Sequence, residues 1–307
     1  MKISIIGSGM VGATFAYRLL VSGMASEIVL NDVNKERAEA EAEELNHCLA
    51  TEQNTRVRAG SYQDTADSDF IVITAGMAQK VGQTRLDLAS ANATILRGIL
   101  KEVCSLSPNA VLIIASNPLD VMTYIAVKES GFTSNKVIGS GTVLDSARFR
   151  YYLGQKLGAN PKDIFAYVIG EHGDSQVQVF SGISIKGLSL QTYCKEFGIN
   201  FTQQDEQDIV EKTSRAAYKI IKAKGSTYYG IASSLMRIVK AVWRDEKVLL
   251  PVCCLLQGEY ALDDVCLAVP AVVGKDGIKK IVQLDLTEIE KSRLAASSKI
   301  VKDSNIL

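Results

Sequence analysis

Short apolar runs alternate with longer amphipathic or small-residue stretches along the first half of the chain. Strands that alternate with helices in this way predict βαβ units and a parallel sheet with helices on both faces. The predicted strands span residues 2–6, 27–30, 70–74, 110–115 and 136–138, and the predicted helices span residues 10–22, 35–47, 86–105 and 120–130.

The alternation stops after about Gly141, so the second half is predicted to be α+β. Its expected elements are a helix over 146–157, strands over 166–169 and 176–185, a helical stretch over 204–242 broken at Gly225, strands with turns over 248–266 including a turn at 263–264, and a helix opened by the capping box 287–290. We expect a dinucleotide-binding domain over residues 1–141 and a substrate/catalytic domain over residues 142–307. No low-complexity linker separates them, which favours a packed junction.

Composition excludes several classes of protein. The 307 residues include 34 Lys plus Arg and 34 Asp plus Glu, so the formal net charge is zero. This balance gives no electrostatic reason to expect a nucleic acid or an anionic membrane as partner. Wholly apolar runs such as residues 111–115 are far shorter than the ~18 residues that suggest a membrane span.

The six cysteines include no C-x-x-C pair, and a chain of this length can bury a core without disulfides. We therefore expect reduced cysteines that serve packing. The apolar run that starts the chain leads directly into Gly7, unlike the longer apolar core of a signal peptide. These features predict a cytoplasmic protein.

A glycine-rich motif follows the first predicted strand and opens the first predicted helix. In this G-x-G-x-x-G, Gly7 permits a tight turn, Gly9 lets a pyrophosphate approach the backbone, and Gly12 lets helix and strand pack closely. Asp32 ends the next strand about 20 residues further on, where a carboxylate binds both ribose hydroxyls of NAD and repels the 2′-phosphate of NADP. The motif predicts an NAD site; the alternative is a glycine turn with a surface aspartate.

The chain has two histidines, and they differ in context. His47 ends a polar predicted helix and is interpreted as a surface or capping residue. His172 lies in Gly-Glu-His-Gly-Asp between two strand-like runs, where a core histidine would rarely need such a flexible backbone. Because histidine exchanges protons near neutral pH, His172 is the candidate acid/base.

Seven segments in family order and spacing resemble the L-lactate dehydrogenase branch of the lactate/malate dehydrogenase family. They are residues 7–12, 74–76, 79–88, 116–120, 144–148, 171–174 and 224–230, whereas the C-terminal quarter matches only in general character. The resemblance implies a Rossmann-type doubly wound parallel sheet followed by an α+β domain. It also implies reversible, NADH-dependent reduction of pyruvate to L-lactate.

The resemblance assigns a role to each matching polar residue. His172 protonates the ketone oxygen, and Asp145 holds the imidazole tautomer and favours its protonated form. Arg148 clamps the substrate carboxylate through a two-point fork, Arg85 polarises the carbonyl, and Asn117 donates a hydrogen bond to the substrate oxygen. Taken singly, Asp145 and Arg148 could be an exposed ion pair on a helix, and Arg85 a surface charge.

The remaining cofactor contacts and partners follow from the same resemblance. Besides Gly7, Gly9, Gly12 and Asp32, the residues expected to contact NAD are Met10, Val11, Arg37, Tyr62, Gly76, Asn117 and Ser140. The peptide bond between Asn117 and Pro118 is expected to be cis. No metal site is expected. The expected partners are pyruvate or L-lactate and further copies of the chain, in a homotetramer.

Substrate specificity is expected to depend on Gln79. The malate branch has arginine at the matching position, which pairs with a second carboxylate, whereas glutamine would leave that carboxylate buried and unpaired. A monocarboxylate such as pyruvate is therefore expected. Thr227 would lie near the small alkyl end of the substrate, with Ala217 and Ile231 as apolar wall.

Residues 79–88 would form a mobile lid that carries Arg85, with Gly76 and Gly82 as hinge or turn positions. Common relatives have proline and glutamate where this chain has Val81 and Gln83. Loss of the proline should loosen the open loop, so discrimination against malate could be weaker than usual.

Residues 150 and 165 bear on whether a sugar bisphosphate regulates the chain. Many bacterial relatives bind fructose 1,6-bisphosphate through an arginine and a histidine. Arg150 keeps the first, but Phe165 occupies the second position, so activation should be weak or absent.

The alternative functions are a malate or broader L-2-hydroxyacid dehydrogenase, an NAD-dependent glycosidase and a non-enzymatic nucleotide-binding protein. A glycosidase would need a metal site, and a binding module needs no proton relay.

Overall fold

The computed structural model describes residues 1–52, 54–77 and 85–304, with residues 85 and 86 described by their backbone alone. Six short strands and four helices alternate along the first half. They are β1 (Lys2–Ile6), α1 (Met10–Ser22), β2 (Glu27–Asn31), α2 (Lys35–His47), β3 (Arg56–Ala59), β4 (Phe70–Ile73), α3 (Arg85–Val103), β5 (Val111–Ile114), α4 (Leu119–Glu129) and β6 (Val137–Gly139).

The second half mixes helices with antiparallel strands. Its elements are α5 (Val143–Leu157), β7 (Ile164–Ile169), β8 (Val177–Ile185), β9 (Leu188–Ser189), α6 (Leu190–Glu196), α7 (Gln203–Lys224), α8 (Tyr229–Trp243), β10 (Val248–Gln257), β11 (Asp263–Gly274), β12 (Gly277–Ile281) and α9 (Glu288–Asp303). Strands β7, β8 and β9 form a small sheet of their own.

The first six strands lie in the order β3-β2-β1-β4-β5-β6, with every neighbouring pair parallel. This order is that of the doubly wound dinucleotide-binding fold, and it confirms the predicted fold class. The chain leaves β1 and β4 in opposite directions, so a crevice opens beyond their carboxyl ends. Ligands bind in folds of this type at that crevice.

Helices cover both faces of the sheet because its strands are apolar on both sides. On one face, Ile3 and Ile5 of β1 pack with Phe15 and Leu19 of α1 in one buried cluster. On the other face, the strand residues Ile71, Ile73, Leu112 and Ile114 pack with Leu96, Ile99, Met122 and Ile125 of α3 and α4. The sheet is therefore a rigid base for the loops at its edges.

The sheet does not end with the first half of the chain. Strand β10 pairs antiparallel with β6 through Cys253 and Gly139, and β11 and β12 follow, so one sheet has nine strands. Helix α8 also lies over α1, with Leu235 and Ile238 in the same cluster as the first-half strands. The two halves thus share a sheet and a core.

Most predicted elements of the second half are present, with one correction. The long helical stretch is interrupted at Gly225, which ends α7 with a φ of 85°, and α9 opens with the predicted capping box at Thr287. The turn expected at residues 263–264 is misplaced, because Asp263 already begins β11. The chain turns over residues 258–262, where Gly258 has a φ of 113°.

Candidate active site

The predicted cofactor residues gather at the carboxyl edge of the parallel sheet. Gly7 follows β1, Gly76 lies beyond β4, Asn117 beyond β5 and Ser140 directly after β6. Asn92 of α3 bridges two of these loops: its carbonyl accepts the Met77 N–H at 2.7 Å and its amide donates to the Asn117 carbonyl at 2.7 Å. The peptide bond between Asn117 and Pro118 is cis, as expected.

In the glycine loop, an added Cβ would have open space at Gly9 but would clash at Gly7 and Gly12. Gly7 has a φ of 103°, and a Cβ there would lie 2.6 Å from the Ala75 nitrogen. A Cβ on Gly12 would lie 1.9 Å from the Gly7 carbonyl oxygen, so only glycine allows α1 to pack this closely. Around Gly9, apart from its chain neighbours, no atom of the described residues lies within 4 Å of such a Cβ. The loop therefore exposes its backbone at the N-terminus of α1, where free N–H groups favour phosphate.

Asp32 lies beside this loop. Its Oδ2 accepts the Ser8 backbone N–H at 2.7 Å, and its Oδ1 accepts the Asn34 N–H at 2.9 Å. With Lys35, Gly60 and other residues it lines a cavity of about 200 Å³. A carboxylate fixed at this place can accept hydrogen bonds from ribose hydroxyls.

His172, Asp145 and Arg148 form one connected group. His172 Nδ1 lies 2.6 Å from Asp145 Oδ2, and Arg148 Nη1 donates to Asp145 Oδ1 at 2.9 Å. The Asp145 side chain is 2% exposed and that of Arg148 14%, so the alternative of an exposed ion pair does not hold. Helix α5 presents both charged residues, one turn apart, toward the imidazole. His47, by contrast, is an exposed residue at the end of α2.

The charges in this group set its protonation. Burial alone would raise the pKa of the Asp145 carboxyl, but His172 and Arg148 outweigh burial and lower it. Burial alone would lower the pKa of the His172 imidazole, but the carboxylates of Asp145 and Asp120 raise it. The structure thus favours an imidazolium beside a carboxylate, which is a proton donor poised for use near neutral pH.

The loop of His172 is fixed to the sheet edge that holds the cofactor residues. The His172 backbone N–H donates to Asp120 Oδ2 at 2.8 Å, and Asp120 lies on α4 just past Asn117. The preceding Gly170 has a φ of 89° and pairs with Ala268 of β11. The imidazole therefore lies near the end of β5, next to the crevice of the Rossmann sheet.

The residues expected around the substrate come from several elements. Thr227 lies in the connection between α7 and α8, whose start packs on α5: a Cβ on Gly230 would lie 2.6 Å from the Leu144 side chain. Ala217 and Ile231 are half-buried on α7 and α8. The expected wall thus adjoins the helix that carries Asp145 and Arg148.

Some predicted site residues lie outside the described part of the chain. They are Gln79, Val81, Gly82, Gln83 and the side chain of Arg85. Among the other predicted cofactor contacts, Met10 and Arg37 are exposed, Val11 and Tyr62 are half-buried, and Ser140 is buried.

No role was predicted for Asp120 or Asn92, although both join loops of the site. The signal for Asp120 was an acidic residue next to the apolar run of α4, within a segment that matched the family. Within residues 1–52, 54–77 and 85–304, no group of three or more His, Cys, Asp and Glu side chains could hold a metal ion. No helix among these residues has both the length and the apolar character of a membrane span.

Comparison with known sequences agrees with the geometry. A family model described as the NAD-binding domain of lactate/malate dehydrogenase matches residues 1–139, and one for the α/β C-terminal domain matches residues 142–305. L-lactate dehydrogenase 1 of Clostridium acetobutylicum is 44% identical over 99% of this chain and 97% of its own. L-lactate dehydrogenase of Clostridium botulinum is 42% identical over 99% and 95%.

Solved structures give the same result. The minor L-lactate dehydrogenase of Enterococcus mundtii superposes with a TM-score of 0.95 at 40% identity, covering 99% of this chain and 96% of that one. A lactate dehydrogenase from a deep-sea metagenome library also reaches a TM-score of 0.95 at 40% identity. With its NAD-binding Rossmann domain and matching second domain, this chain belongs to the lactate/malate dehydrogenase family.

Proposed function

We propose that this chain is an L-lactate dehydrogenase that reduces pyruvate to L-lactate with NADH, and catalyses the reverse reaction. The observation that carries the proposal is the buried His172–Asp145–Arg148 group at the edge of an NAD-binding sheet. A proton donor and a guanidinium side by side suit a 2-oxo acid, whose ketone needs a proton and whose carboxylate needs a cation.

NAD fits the residues of the glycine loop. Gly9 leaves room for a pyrophosphate at the N-terminus of α1, and Asp32 stands where ribose hydroxyls would donate to it. We assign the contacts further along the cofactor to Met10, Val11, Arg37, Tyr62, Gly76, Asn117 and Ser140. When bound, NADH supplies the hydride.

His172 supplies the proton. Because Nδ1 is directed to Asp145, Nε2 is the nitrogen that serves the substrate oxygen, and it donates its proton to that oxygen as the ketone is reduced to the alcohol. Asp145 keeps the ring in this orientation and stabilises the imidazolium. In lactate oxidation, the neutral ring accepts the hydroxyl proton through the same nitrogen.

Arg148 binds the substrate carboxylate. One Nη1 bond goes to Asp145, and the other N–H donors of the guanidinium remain for a two-point contact. Arg148 also works against protonation of His172. A carboxylate on Arg148 offsets that positive charge, so bound substrate favours the protonated form of His172 opposite its ketone.

We assign substrate choice to Gln79 and Thr227, and polarisation of the carbonyl to Arg85 with Asn117. The prediction is that Gln79→Arg raises kcat/KM for oxaloacetate relative to pyruvate, because the new guanidinium pairs with the second carboxylate, whose unpaired burial costs several kcal/mol. NADH consumption, followed by absorbance, would be compared between the native chain and Gln79→Arg over a panel of 2-oxo acids.

The control variant is Gln155→Arg, which adds the same charge at an exposed position of α5 and should leave the ratio unchanged. If the native chain reduced oxaloacetate faster than pyruvate at equal concentration, malate dehydrogenase would be the better assignment. If it consumed no NADH with any 2-oxo acid, the proposed function would be wrong.

We also propose a cytoplasmic homotetramer. All six cysteines are unpaired, as a reducing compartment favours. Large apolar side chains are exposed on several elements, among them Tyr17, Phe165 and Tyr229, and subunit contacts would cover such surfaces. Light scattering of the purified chain measures the number of subunits.

A further inference from the structure

Asp120 is a buried carboxylate that has no role in the proposed reaction mechanism. Its residue is 3% exposed, and it lies near the start of α4, beside the cis peptide bond. Its Oδ2 accepts the backbone N–H of His172, a residue 52 positions away in the sequence. The carboxylate thus contacts the backbone of the catalytic histidine, whereas Asp145 contacts its ring.

We propose that Asp120 is a positioning residue for His172: its carboxylate fixes the loop that carries the imidazole, and its negative charge favours the imidazolium form. The proposal rests on the proposed function, because the charge of His172 matters for the reaction only if this ring donates the proton.

Three neighbouring residues of the loop are held by three different elements. The Gly170 N–H donates to the Ala268 carbonyl of β11 at 2.8 Å, and the Glu171 N–H donates to Ser297 Oγ of α9 at 2.8 Å. Asp120 of α4 holds the third residue, His172 itself. Of the three acceptors, only Asp120 carries a charge.

The charge is costly where it lies, which distinguishes Asp120 from an ordinary acceptor. Its Oδ1 is buried and has no hydrogen-bond partner within the described ranges. Burial raises the pKa of Asp120 to about 6, although the His172 N–H and the Cys253 thiol stabilise the anion. A neutral amide or hydroxyl oxygen would accept the same N–H at lower cost. The carboxylate differs from a neutral acceptor because its negative charge raises the pKa of the His172 imidazole.

The ionisable groups around Asp120 and His172 lie on α5, β10, α9 and the loop of His172 itself. His172 faces Asp145 and Arg148 of α5 as well as Asp120. Asp120 in turn faces Cys253 of β10 and Glu171 of the histidine loop, and Asp303 of α9 lines the same cavity of about 290 Å³. Asp120 and Asp145 thus act on the imidazole from two helices, and Arg148 opposes them.

The test is the titration of His172 in Asp120→Asn, which keeps an oxygen acceptor for the N–H and removes the charge. With two histidines in the chain, imidazole ¹³C signals are simple to assign, and His47→Gln identifies the second one. We expect the His172 midpoint to move to lower pH by on the order of one unit. The alkaline limb of kcat/KM for pyruvate should move with it, a loss of about tenfold on that limb.

Asp264→Asn is the matched control, because Asp264 bonds Tyr124 and Lys128 of the same helix from its exposed side. This variant should leave the His172 midpoint in place. An unchanged midpoint in a folded Asp120→Asn would overturn the proposal. If that variant does not fold, the native chain decides: a separate inflection of the His172 signal near pH 6 supports the proposal, and its absence overturns it.

The imidazole titration is read without turnover, so the two proposals fail separately. A shifted midpoint in a chain that consumes no NADH with pyruvate would leave the role of Asp120 standing and reject the proposed function. Pyruvate reduction with an unshifted midpoint would do the reverse.

Discussion

At the scale of single residues, the candidate site depends on where Asp145 places a negative charge. This carboxylate is almost fully buried and satisfies both His172 and Arg148. One carboxylate oxygen contacts His172 and the other contacts Arg148. The orientation of the imidazole ring is therefore coupled to the orientation of the guanidinium that is proposed to bind the substrate. In the proposed mechanism, a change at Asp145 would therefore act on proton transfer and on substrate binding together.

Opposite pH dependences are expected for the two directions of the reaction. Because the pKa of His172 is raised, the imidazolium needed for pyruvate reduction persists to higher pH and is lost above that pKa, while lactate oxidation increases there. In Asp145→Asn, both midpoints should move to lower pH, and kcat should fall by about 10²–10⁴-fold. Stopped-flow rates over a pH series measure both.

The comparison variant is Asp163→Asn, which alters an exposed ion pair with Lys186 and should change neither quantity. Equal pH profiles for native chain and Asp145→Asn would contradict the role of this carboxylate.

At the scale of elements, local signals predicted the first two helices better than they predicted an edge strand of the sheet. Helices α1 and α2 have the predicted bounds because capping residues and glycines mark their ends. Strand β3 was missed: Arg56 and Arg58 alternate with small apolar residues in an edge strand of four positions, which is too short a pattern.

Long-range pairing could not be predicted in the same way. The extension of the sheet by β10 depends on one contact, between Cys253 and Gly139, which no periodicity encodes. The contact of Asp120 with His172 is of the same kind, since it joins a helix to a loop 52 residues away. Family resemblance supplied the roles of His172, Asp145 and Arg148, which spacing alone left open.

The packing of α1 on β1 gives a prediction for one glycine. In Gly12→Ala, the new methyl group would meet the Gly7 carbonyl oxygen, so α1 must shift and the loop must change shape. We expect NADH affinity to fall by at least about tenfold, or ~1.4 kcal/mol, in a fluorescence titration. Gly98→Ala is the control, because outside the backbone of α3 itself no atom of the described ranges lies within 4 Å of its added Cβ. Equal affinities in both variants would rule out this packing requirement.

At the scale of the whole molecule, regulation by a bisphosphate would need a site that Arg150 is poorly placed to provide. Its Nε donates to the Ala166 carbonyl at 3.0 Å, its guanidinium lies over the Tyr167 ring, and burial lowers its pKa. The neighbouring Phe165 is 55% exposed and offers no donor to a phosphate.

We therefore expect fructose 1,6-bisphosphate to leave the half-saturation concentration of pyruvate unchanged. Initial rates at a series of pyruvate concentrations, with the bisphosphate or with inorganic phosphate at equal ionic strength, test this. A marked fall with the bisphosphate alone would show that other residues bind it.

The sheet shared by both halves restricts how this enzyme can close on a substrate. A rotation of one half against the other would break the pairing of Cys253 in β10 with Gly139 in β6, and it would slide α8 across α1 and disrupt a buried interface. This architecture opposes a rotation of one whole half against the other. In the proposed function, shielding of the reaction from water would then require segments smaller than a domain, while the loop of His172 stays anchored to α4 and β11.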